Sequence, residues 1–192
     1  MLNTILGAFS SGVVASTSSY ESIQSATGTG SSDTITFNSI PGTYKHLQIR
    51  GILRGTSSAG IGNAAIRLNS DTTDANYASH HLGGDGSSTF VYGSASGPVY
   101  LPNCFPLADQ TANTHGVLII DIHDYASTTK YKTIRNFCGV DNNNSPGGSP
   151  GCVNLGSGLW ENTNAVTSIS ITGLSINFTT TTSFALYGIK GA

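Results

Sequence analysis

Residues 116–125 read Gly-Val-Leu-Ile-Ile-Asp-Ile-His-Asp-Tyr, and this run constrains the fold more than any other part of the chain. Side chains alternate across an extended backbone, so Leu118, Ile120 and Ile122 share one face while Val117, Ile119, Asp121 and His123 take the other. Such crowding of branched side chains disfavours a helix and predicts a strand at the centre of a sheet. Shorter runs of the same kind recur from Asp33 onward, separated by turn residues. Ile35 and Phe37 alternate with Thr34 and Thr36 before the Pro41-Gly42 turn, and Leu47, Ile49 and Leu53 alternate with His46, Gln48, Arg50 and Arg54. Further strands are expected at Ile66–Leu68, 77–82, 90–92, 131–140, 166–171 and 183–190, with a hairpin turn at Gly83-Gly84-Asp85-Gly86 and a loop over 142–151. Eight to ten strands at this spacing predict one all-β domain, a jelly-roll-like antiparallel β-sandwich over residues 20–192.

The composition agrees. Only 9% of the 192 residues are charged, against roughly 25% in ordinary globular domains, and Ser, Thr, Asn and Gly take their place. Ser, Thr and Asn compete with helices for backbone hydrogen bonds and favour turns and pleats. The net charge is -2 and the eight Lys and Arg residues are scattered, which argues against a phosphate-tracking groove and a nucleic-acid partner. No apolar run reaches the ~18 residues of a membrane helix. The three cysteines, Cys104, Cys138 and Cys152, are odd in number and lack metal-knuckle spacing, so reduced thiols are expected.

Residues 1–19 differ from the rest. Leu2, Ile5, Leu6, Phe9 and Val13 form an apolar stripe, followed by a Ser- and Thr-rich tether. The stripe either folds back on its own core or forms an arm that inserts into a neighbouring subunit or a shell; the arm reading makes these five residues an anchor. The lack of Lys or Arg before Lys45 and the interruptions at Gly7, Ser10, Ser11 and Gly12 do not fit a secretory leader, so synthesis in the cytoplasm is expected.

Candidate chemistry is sparse. Asp121 and His123 are neighbours on one strand face, but no third ligand has motif spacing, and a cross-strand hydrogen bond is the simpler expectation. His80 and His81 point to opposite faces. Asp141-Asn142-Asn143-Asn144 begins like a calcium loop, yet Pro146 and Cys152 stand where that loop needs Gly and Glu. No catalytic residue, metal or cofactor is assigned, and the chain is read as a non-enzyme. Trp160, in Leu159-Trp160 ahead of a β-run, is placed at a subunit interface.

Several phrases together resemble small β-rich virion proteins of tailed bacteriophages, particularly those infecting aquatic bacteria and cyanobacteria. They are Ser19-Tyr20-Glu21-Ser22-Ile23, the run from Ile40-Pro41-Gly42-Thr43-Tyr44 to Arg50, Ile120-Asp121-Ile122 through Tyr125, Ser157-Gly158-Leu159-Trp160, and Ser183-Phe184-Ala185-Leu186-Tyr187-Gly188-Ile189-Lys190-Gly191. The resemblance implies a place on the outer surface of the particle and a homotrimer that contacts the major capsid protein or other virion proteins. One β domain with a short arm favours a capsid decoration, or cement, protein. The alternative is a tail- or head-fibre module holding host surface glycans with loops such as 90–106 and 142–151. A carbohydrate-active enzyme ranks last, because no facing carboxylate pair is recognisable.

Overall fold

A computed structural model describes residues 18–142 and 151–191. Twelve strands are described: β1 (Tyr20–Thr27), β2 (Thr34–Phe37), β3 (His46–Leu53), β4 (Ile61–Leu68), β5 (Tyr77–Gly84), β6 (Thr89–Ser94), β7 (Val99–Pro106), β8 (Gly116–Ile122), β9 (Lys132–Asp141), β10 (Gly151–Trp160), β11 (Ile169–Thr172) and β12 (Ser183–Ile189). A single 3-10 turn at Asp74–Asn76 is the one helical piece among them. The strands form two antiparallel sheets packed as a jelly-roll-like sandwich. The larger has eight strands in the order β1-β12-β3-β8-β9-β10-β5-β6, and the smaller has four in the order β2-β11-β4-β7.

The alternating pattern predicts the inner faces well. Leu47, Ile49 and Leu53 of β3 and Leu118, Ile120 and Ile122 of β8 are buried, facing Phe37, Ile66, Ile169 and Ile171 from the smaller sheet. Phe178 joins the two layers at one end, its ring 5.6 Å from Phe105 and 5.9 Å from Phe184. As expected, β8 lies inside the larger sheet, paired with β3 and β9.

Three strands depart from the sequence expectation. β1 falls where a tether was expected to end, and its burial pattern is mostly exposed because it is an edge strand paired with β12 alone. Residues 90–106, read as a glycan-holding loop in the fibre alternative, form β6, where a strand was expected at 90–92, and β7, which was not expected, with a short turn between them. β10 contains Gly151, Gly156 and Gly158, which weaken a strand signal, yet it pairs along its whole length with β9 and β5. Its glycines are needed for close approach. A Cβ on Gly156 would lie 2.6 Å from His81 Nδ1 and 2.7 Å from the Asn136 amide, and one on Gly158 would meet Val99 at 2.5 Å.

β7 is held against the larger sheet by side chains that reach its backbone. Asn154 Nδ2 donates to Pro102 O at 2.9 Å, Cys152 Sγ donates to Asn103 O at 2.8 Å, and Cys138 Sγ lies 3.7 Å from Pro102 O. All three cysteines are reduced, as expected; Cys104 and Cys138 are buried, whereas Cys152 is partly exposed.

Trp160 corrects the interface expectation. It is 1% exposed, lies near Tyr77 with a ring separation of 6.4 Å, and donates its indole N–H to Asp71 Oδ2 at 2.8 Å. Both its apolar surface and its polar handle are used inside the chain, leaving nothing for a partner. Leu2, Ile5, Leu6, Phe9 and Val13 lie outside the described residues.

Candidate functional site

The outward face of the eight-stranded sheet is apolar where a water-facing sheet should be polar. Strand register places Ile119 of β8, Phe137 of β9, Leu155 of β10, Leu82 of β5 and Val91 of β6 directly opposite one another in one continuous row. A second row, two residues along, carries Ile52 of β3, Val117 of β8, Gly139 of β9 and Val153 of β10. The eight large side chains in these rows are 38 to 79% exposed. With strands ~4.8 Å apart and same-face rows ~7 Å apart, the footprint is on the order of 300 Å², the size of the largest apolar patch on an ordinary monomer, which is often functional.

The face has relief. Gly139 leaves the second row without a side chain at its middle, and a trough of about 510 Å³ opens there between Val117, Phe137 and Val153. On the far side of the Phe137–Leu155 ridge, a second trough of about 490 Å³ is bounded by Leu82, Leu155, His80, Arg135 and Ser157.

One border is polar. The third row reads Gln48, Asp121, Arg135, Ser157, His80 across β3, β8, β9, β10 and β5. Within it Gln48 Nε2 donates to Asp121 Oδ1 at 2.8 Å, and Arg50 Nε, from the β3 end of the Ile119 row, donates to Gln48 Oε1 at 2.8 Å. The cross-strand bond expected for Asp121 is therefore present. His123 meets His46 edge-on, with ring centroids 5.0 Å apart. Among the described residues no group of three or more His, Cys, Asp or Glu is placed to hold a metal ion.

The two histidines of β5 separate as alternation requires. His80 lies on the outer face, whereas His81 is buried on the inner face with its ring 6.1 Å from those of both Tyr92 and Tyr100. Burial, helped by the nearby charge of His80, pushes His81 down to about 4, so it is neutral at pH 7. Tyr92 is half-exposed, but its ring is stacked on His81 and tilted 54° to Tyr100, which is not a flat platform for a sugar.

The chain matches no protein-family model and no curated protein. The apolar face was not foreseen from the sequence, although part of its signal was visible. Val117 to Ile120 is an unbroken apolar run, and a strand apolar on both sides is buried on both sides in a finished assembly. The contributions of β10 and β5, Leu155, Val153 and Leu82, are isolated among Gly, Asn, Ser and His and join the patch only through register.

Proposed function

We propose that the protein is a structural component of a tailed-phage particle, a capsid decoration protein that sits on the outer shell as a homotrimer. The observation that supports an assembly role is the row Ile119–Phe137–Leu155–Leu82–Val91, which sets large apolar side chains toward water across five strands. Fully burying such a side chain is worth roughly 1.5–3 kcal/mol, and about half of each is still exposed, so covering the row contributes on the order of 1 kcal/mol per side chain before ordering costs. The phage setting rests on the resemblance of the sequence phrases. A neutral surface rich in Ser, Thr and Asn suits a dense lattice, where like charges on adjacent copies would repel.

Two measurements test this reading. Quantitative mass spectrometry of purified particles should find hundreds of copies per virion; a handful would move the protein to a fibre or spike, and absence would remove it from the particle. Light scattering of the purified protein at micromolar concentration should give a trimer mass, and a stable monomer would count against the assembly.

A further inference from the structure

We infer that the apolar face of the eight-stranded sheet is a receptor groove for residues 1–17 of a neighbouring copy. This deepens the assembly reading above and rests on it.

Composition matches first. Residues 1–17 contain Leu2, Ile5, Leu6, Phe9 and Val13 and no Asp, Glu, Lys or Arg. The two apolar rows from β8 to β6 likewise contain no charged side chain. A segment with no ionised side chain can lie along these rows without burying one, whereas a segment carrying Asp, Glu, Lys or Arg at those positions could not.

Shape favours a single segment over a second flat sheet. The two troughs of about 510 and 490 Å³ flank the Phe137–Leu155 ridge as open concavities with volume enough for side chains of Phe or Leu size. Two flat sheets packed face to face would bridge these troughs and leave them unfilled, forfeiting contact along their walls.

Reach and direction point to a neighbour. Ser18 leads into β1, which is an edge of this same sheet, and β9 and β10 lie four and five strands away, ~19–24 Å at ordinary strand spacing. Seventeen residues can span up to ~56 Å, so distance alone allows the chain to use its own face or another's. The exit point decides between them. β1 starts at Tyr20, opposite Ile189, which pairs with His46, at the end of the sheet beyond the polar row Gln48, Asp121, Arg135, Ser157, His80. A chain folding onto its own face would reverse direction and cross that row, burying Asp121 and Arg135. A neighbour's segment can enter from the opposite side, past Ile52 and Val153, without crossing that row; Asp85, Asp141 and His115 line the trough there and would flank it. Exchange of this kind is head-to-tail and closes into a ring when the rotation permits, which suits a trimer.

Cross-linking tests the exchange directly. Chains carrying Phe9→Cys and chains carrying Leu155→Cys are mixed, both in a Cys152→Ser background that keeps a hydroxyl donor for Asn103 O, and oxidised with diamide, which accepts the two thiol hydrogens as the disulfide forms. The proposal expects a disulfide-linked pair containing one chain of each kind. No linked pair in the mixture, or a doubly substituted chain that links only within itself, overturns it. Separately, a chain starting at Ser18 should lose self-association and bind a fluorescein-labelled peptide of residues 1–17. Leu155→Arg in that chain should weaken the peptide by more than tenfold, and equal binding by both versions overturns the groove. Copy number in particles is independent of these results: hundreds per virion with no cross-link refutes the exchanged segment and leaves the decoration role standing.

Discussion

Asp71 collects donors from three directions: Trp160 Nε1 at 2.8 Å, Asn76 Nδ2 at 2.8 Å and the Thr73 N–H at 2.9 Å. The Asn76 and Trp160 hydrogen bonds chiefly hold its carboxyl down to about 2. Asp71→Ala leaves the buried indole N–H without its acceptor and should cost about 1–3 kcal/mol, read as a lower urea midpoint at pH 7. His81 sets an earlier step in acid. Its folded value of about 4 lies below the ordinary ~6.5, so as pH falls between these values the unfolded chain takes up a proton that the folded chain refuses. Stability is therefore full above about 6.5 and declines toward pH 4 by up to about 1.4 kcal/mol per pH unit. Stability from Asp71 is full above the ordinary carboxylate value and is lost in turn as pH falls from about 4 toward 2. His81→Phe should flatten the first decline and leave the second, checked by urea titrations at closely spaced pH values. Neither role was legible in the sequence. Trp160 read as an interface residue because its acceptor lies 89 positions away, and His81 differs from His80 only in the face it takes.

At the level of elements, β9 opens on a lysine that has no exposed surface. Lys132 Nζ donates to the carbonyls of Ser127 at 2.8 Å, Lys130 at 2.7 Å and Thr163 at 3.2 Å, tying the turn before β9 to the loop after β10. Burial lowers its pKa. Lys132→Met keeps much of the volume but leaves these carbonyls without a donor, and should destabilise by about 1–3 kcal/mol in equilibrium denaturation. Strands whose inner positions alternate cleanly, such as β2, β3, β8 and β12, were readable because pattern and burial coincide. β10 was not, since its partners on both sides supply the order that Asn154-Leu155-Gly156-Ser157-Gly158 lacks alone. β7 was hidden by Pro102 and Pro106, which an edge strand tolerates.

For the whole molecule, eight strands in one sheet against four in the other leave the exposed apolar rows on the larger sheet. The inner half of that sheet was legible as core; the outer half was not, because apolar positions on separate strands become a surface only once register is set. Leu155→Arg changes a half-exposed side chain and should leave folding stability within about 0.5 kcal/mol. It should nevertheless shift light-scattering mass toward the monomer and weaken rebinding to stripped shells. Loss of folding in this variant would mean that Leu155 belongs to the chain's own core.

The thiols that reach toward β7 make the parting of the two layers something a reagent can time. Cys104 and Cys138 are fully buried, whereas Cys152, its thiol pushed up to about 11 by burial, is partly exposed beside its carbonyl acceptor. A thiol-specific dye added in excess under native conditions should modify Cys152 first, at a rate set by local fraying of β10 from β7, and the other two together, only when the layers separate. The interval between the two phases measures how long the sandwich stays shut, and a particle that clamps its subunits should lengthen the second phase more than the first.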